Sequence, residues 1–135
     1  MNILDRQIIE DGWKHAIVKL TGVLDTSDIS EAPAIALSDF TNNDTMKEFN
    51  GLCIKKISWS IGDGLQIVLA WNGFHPQQIA PLSGRGKLCA KDFGSFNPDM
   101  TLIGYDGGIN LTTSGYPMNT VQNFVVVLEM TKRYD

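Results

Sequence analysis

Apolar and polar residues alternate with a period of two along much of this chain. The clearest run is Cys53 to Trp71, C-I-K-K-I-S-W-S-I-G-D-G-L-Q-I-V-L-A-W. In its first arm Ile57, Trp59 and Ile61 fall on one side, and Lys56, Ser58 and Ser60 on the other. In its second, Leu65, Ile67, Leu69 and Trp71 share a face opposite Gln66, Val68 and Ala70. Each arm predicts a half-buried strand whose apolar stripe needs cover. Gly62-Asp63-Gly64 between them tolerates positive φ, so the pair reads as a hairpin. From Trp13 to Leu24, Ala16, Val18 and Leu20 alternate with His15, Ile17 and Lys19, and Gly22 suggests a bulge or bend. From Asn123 to Met130, Phe124, Val126, Leu128 and Met130 form one face. Val125 and Val127 make the other face apolar too, which predicts a central strand covered on both sides.

Weaker runs fill the intervals. Ile3–Ile9 ends at the turn cluster Glu10-Asp11-Gly12, and Gln78–Leu82 is a short strand limited by Pro76 and Pro81. Lys87–Lys91 and Ile109–Thr113 are further short strands. Residues 25–51 carry six acids against the single cation Lys47 and read as a long acidic loop, interrupted by one apolar strand at Ala34–Leu37. Thr45-Met46-Lys47-Glu48 fits a capping box with Gly51 as a helix stop, which predicts one short helical turn. About eight strands with no convincing amphipathic helix predict an all-β chain, a single-domain antiparallel β-sandwich of jelly-roll type. The 135 residues suit one domain, with 1–11 as an N-terminal arm.

The net charge of −4 argues against nucleic acid, whose partners carry basic stripes. The first residues lack a secretory leader and no run is long enough to cross a membrane, so a protein made in a cytosol is expected. Cys53 and Cys89 read as small apolar residues in or near a core, with a disulfide as the alternative.

Candidate chemistry is sparse. Leu82-Ser83-Gly84-Arg85-Gly86-Lys87-Leu88 looks like a phosphate loop, but Pro81 stands where a Walker glycine is needed and Leu88 where Ser or Thr is needed. The glycines are then structural, letting a strand run beside another backbone; the alternative is anion or partner binding by Arg85 and Lys87. Asp92-Phe93-Gly94 spells a kinase triplet without the rest of that machinery. His15 and His75 have no partners at ligand or triad spacing, so no catalytic residue, no cofactor and no metal site is expected. No pair of acids is singled out for glycosidase work. Asp63 and Asp106 read as turn residues rather than calcium ligands.

The segments K-I-S-W-S-I-G-D-G-L-Q-I-V-L-A-W, L-S-G-R-G-K-L-C-A-K-D-F-G, G-G-I-N-L-T-T-S-G-Y and N-F-V-V-V-L-E-M-T-K, with W-K-H-A-I-V-K-L-T-G-V-L-D at 13–25, resemble a family of small virion structural proteins of tailed bacteriophages, of the head decoration or cement type. The resemblance runs over about residues 52–133 and carries no catalytic residues. It implies a non-enzymatic protein on the capsid surface, assembled in the host cytoplasm, whose partners are the major capsid protein and copies of itself. The expected contacts are the 1–11 arm, the 25–51 loop with Asp25, Asp28 and Glu31, the sheet edges, and Arg85 with Lys87. A different class is a carbohydrate-binding or structural sandwich of a neck or tail fibre, with Trp13, Trp71, Tyr105 or Tyr116 stacking on sugar rings. An enzyme is the third and least expected class.

Overall fold

The computed structural model describes residues 2–12, 14–40, 49–62, 64–73, 76–90, 96, 103, 107–117 and 119–134. Among the described residues nine strands form two antiparallel sheets. The strands are β1 (Ile3–Asp11), β2 (His15–Leu24), β3 (Ala32–Ile35), β4 (Phe49–Ile61), β5 (Gln66–Trp71), β6 (Gln77–Ser83), β7 (Arg85–Cys89), β8 (Ile109–Ser114) and β9 (Gln122–Tyr134). The five-stranded sheet has the order β1-β2-β9-β4-β7 and the four-stranded sheet β3-β8-β5-β6.

Strands β2 to β9 pair as a folded-back ribbon, β2 with β9, β3 with β8, β4 with β7 and β5 with β6, wound so that the chain changes sheet at every connection except the β5–β6 fold. That winding is a jelly roll, with β1 added outside β2. The expected all-β sandwich is therefore the fold.

Period-two alternation supplies the core. In the larger sheet, Ala16, Val18, Leu20 and Leu24 of β2, Phe124, Val126, Leu128 and Met130 of β9, and Leu52, Ile54, Ile57 and Ile61 of β4 point inward and are buried. They meet Ile67, Leu69, Trp71, Leu82, Ile109 and Leu111 from the smaller sheet in one cluster.

Three local expectations are corrected. Strands β4 and β5 are consecutive but not a hairpin: they lie in opposite sheets, and the chain crosses the sandwich between Ile61 and Gln66. The two apolar stripes that needed cover thus cover each other. Gly22 marks no bulge, because β2 pairs with β9 without a shift from His15 to Leu24; it sits opposite Phe124, where a Cβ would overlap the ring. Gly51 stops no helix, because it is part of β4; the capping-box residues 45–48 lie outside the described residues.

Two prolines also prove compatible with strands. Pro33 lies within β3 and Pro81 within β6, both at the edges of the smaller sheet, where a missing ladder donor is tolerated. Strand β9 is central as expected, but among the described residues no third layer covers its outer face. Val125 and Val127 are half-buried there beside Ser60 and Ser58 of β4 and Thr21 and Lys19 of β2.

Strand β4 changes phase along its length. A bulge between Ile54 and Lys56 adds one residue, so Leu52 and Ile54 face inward on even numbers and Ile57 and Ile61 on odd ones. A second bulge, between Ile8 and Glu10 of β1, lies at the same level of the sheet, with Glu10 opposite Ile17, Ile17 opposite Glu129, and Glu129 opposite Lys56.

Candidate functional site: edges and grooves of the sandwich

The Gly-basic-Gly-basic segment is a corner of the roll. Gly84, at φ +65°, turns the chain from β6 in one sheet to β7 in the other, and its carbonyl accepts a hydrogen bond from the Ile61 amide at 2.7 Å. The Trp59 indole Nε1 donates to the Ser83 carbonyl at 2.9 Å, and the ring lies against Gly86, its partner across the ladder. Gly86 and Lys87 are consequently strand residues, not a cradle of backbone amides. Arg85 and Lys87 stand exposed on β7, the outermost strand of its sheet. Arg85 also lines a groove of about 350 Å3 with Ser60, Gly62 and Asn123.

The three acidic candidates lie at the opposite edge of the sandwich, on the connection between β2 and β3. Asp28 is a latch. Its carboxylate accepts from the Thr113 hydroxyl and the Tyr116 amide, each at 3.1 Å, while Thr113 also exchanges bonds with the Ile29 backbone. Asp25 is exposed and accepts from the Thr26 hydroxyl at 2.8 Å. Hydrogen bonds from the amino terminus and then from Thr26 hold its carboxyl below the ordinary range. Glu31 adopts φ +46° and its amide donates to the Thr112 hydroxyl. The basic and acidic candidates therefore form two separate patches.

Residues 3–11 of the expected arm are the edge strand β1, tied across to the smaller sheet through Arg6. Its guanidinium donates to the Ala34 carbonyl at 3.1 Å and pairs with Asp39 at 3.2 Å, and Asp39 accepts from the Ala36 amide.

The sequence reading missed a buried cation. The Lys132 side chain is fully buried, ion-paired with Asp11, and sits 5.7 Å from the centre of the Phe40 ring. The signal was present: position 132 continues the inward stripe of Phe124, Val126, Leu128 and Met130, so a lysine there had to find a partner inside.

Two grooves open on the outer faces. One, of about 520 Å3, lies on the larger sheet where the two bulges face each other, and gathers Glu10, His15, Lys55 and Glu129 around Ile17. The Glu129 carboxylate is 3.5 Å from Lys56. The other, of about 260 Å3, lies on the smaller sheet among Glu31, Gln78, Asn110 and Thr112. Among the described residues no three His, Cys, Asp or Glu side chains are placed to share a metal ion. Cys53 is buried and Cys89 exposed, with no disulfide between them.

Of the aromatic candidates for sugar stacking, Trp71 is buried, and Tyr116 is half-buried with its hydroxyl donating to the Thr120 carbonyl at 2.7 Å. Trp13, Tyr105, Asp63, Asp106 and His75 lie outside the described residues. No protein-family model matches the chain, and no curated protein matches it.

Proposed function

We propose that this chain is a non-enzymatic structural protein of a bacteriophage virion, a decoration or cement protein that clamps subunits of the major capsid protein on the outside of the head. The reading rests on where the phage-like segments fall. The segment at 13–25 coincides with β2, K-I-S-W-S-I through L-A-W with β4 and β5, and L-S-G-R-G-K-L-C with the β6–β7 corner. G-G-I-N-L-T-T-S leads into and forms β8, and N-F-V-V-V-L-E-M-T-K lies in β9. The segments that carry the resemblance are thus strands and corners of the roll.

Cement works mechanically. It requires a stiff scaffold, edges that can pair with neighbouring chains, and several weak contacts whose effective concentration multiplies. Here β1 and β7 end the larger sheet, and Asp25, Glu31, Arg85 and Lys87 are exposed beside its two rims.

A second reading, a glycan-binding module of a neck or tail fibre, draws on the smaller groove, whose Gln78, Asn110, Thr112 and Glu31 are hydrogen-bonding groups of the kind that hold sugar hydroxyls. Trp71 and the Tyr116 hydroxyl, engaged in the fold, lend it no support. An image of the assembled particle at side-chain resolution separates the two. Density for this roll on the capsid lattice is the expected result, and density confined to a fibre overturns it.

A further inference from the structure

We propose that β1 is a self-association strand: two copies of this chain pair their β1 edges antiparallel about a two-fold axis at Arg6, joining their five-stranded sheets into one. The inference deepens the reading above by naming the contact between copies, and it rests on that reading for its place in the virion.

Three observations select β1. First, it has β2 on one side and, among the described residues, no strand on the other. Second, the other three sheet edges carry features that discourage pairing: β7 exposes Arg85 and Lys87, β3 is four residues long with Pro33 inside it, and β6 contains Pro81. Third, β1 is the one strand that carries exposed large apolar residues among those described, Ile3 at 51%, Ile8 at 37% and Ile9 at 53% accessible, the other two, Ile103 and Val121, lying outside the strands.

The occupant is argued from the sequence of the strand. A two-fold interface must complement itself, and paired residues of a continuous antiparallel sheet must share a face. Ile3-Leu4-Asp5-Arg6-Gln7-Ile8-Ile9 reads the same from either end in apolar and polar classes, with Arg6 at the centre. Pairing about Arg6 sets Leu4 opposite Ile8 of the second copy and Asp5 opposite Gln7, with Ile3 and Ile9 flanking.

Leu4 and Ile8 are both on the inward side, opposite Gly22 and Val18, yet Ile8 stays exposed there while Leu4 is half-buried. Leu4 of the second copy supplies that cover. The two Arg6 guanidinium groups do not oppose each other bare, since each is held inward by Asp39 and the Ala34 carbonyl. The β1 bulge lies beyond Ile8 and leaves the Leu4–Ile8 ladder regular.

The test uses the full chain carrying Cys89→Ser, which removes the exposed native thiol. Sedimentation over a concentration series should show a monomer–dimer equilibrium, and Ile8→Lys should abolish the dimer while the melting temperature is retained. Asp5→Cys mixed with Gln7→Cys should cross-link on oxidation, whereas neither variant alone should. A monomer at every concentration overturns the proposal, as does a mixture that fails to cross-link, whatever Ile8→Lys does. A monomeric chain that still binds phage heads would remove this pairing and leave the cement reading standing.

Discussion

At the scale of the residue, burial decides which aromatic matters. Trp71 is 2% exposed inside the sandwich, whereas Trp59 is half-buried over Gly86. Trp71→Ala should cost about 3–5 kcal/mol in denaturant unfolding, with Trp59→Ala costing clearly less because water already reaches its ring. Equal losses would show that the two rings share one environment. Lys132 makes a second residue-scale case. Its ammonium is desolvated and depends on Asp11, which keeps a foot in solvent. Asp11→Asn should destabilise the fold by about 1–3 kcal/mol, since a buried charge then loses its countercharge. Lys132→Met introduced on top of Asp11→Asn should recover part of that loss, which a double-mutant cycle measures. The same pair qualifies any truncation: removing residues 1–11 takes Asp11 away with β1 and leaves Lys132 buried without it, so substitutions in β1 are the cleaner probe.

At the scale of the element, the bulge in β4 sets which residues face the core. Deleting Lys55 would remove the bulge and leave Ile54 opposite Met130 and Lys56 opposite Glu129 in regular alternation, so Leu52 and Ile54 stay inward and the variant should still unfold cooperatively. Inserting one further residue beside Lys55, by contrast, should not be absorbed without turning Leu52 and Ile54 outward. A Lys55 deletion that no longer unfolds cooperatively in denaturant would show that the bulge does more than absorb one extra residue. Such features mark how far the sequence could be read. Alternation exposed nearly every strand and most of the core, because period two is a local property of Ile57-Ser58-Trp59-Ser60-Ile61 or Phe124 to Met130. Strand partners were not legible. Gly62-Asp63-Gly64 fits a hairpin turn and a sheet-to-sheet crossing equally well, and only the competing claims of β9 and β7 on the edges of β4 decide between them. The phase change was hidden for the same reason, since Ile54-Lys55-Lys56-Ile57 shows its extra residue only against Met130 and Glu129 across the ladder. The Gly84 corner was partly legible: its glycines were read as structural, but not as the crossing between sheets. Among the candidate contacts, the sequence picked out exposed Arg85 and Lys87 and exposed Asp25 and Glu31. It could not reveal that Asp28 is used to latch the β2–β3 connection onto Thr113 and Tyr116.

At the scale of the whole molecule, the sandwich presents an acidic rim near Asp25 and Glu31, a basic rim at β7 and an apolar edge at β1, on a roll held together by one continuous core. Separate patches on a rigid body suit a protein that touches several neighbours at once, because each contact can be weak while their combination is strong. The most direct measurement of that claim is binding to phage heads assembled without this protein. Purified full-length chain should saturate them at a fixed number of copies per particle and raise the temperature at which the heads rupture. Absence of binding to heads, together with binding to host surface polysaccharide that is lost on Asn110→Ala in the smaller groove, would contradict the account.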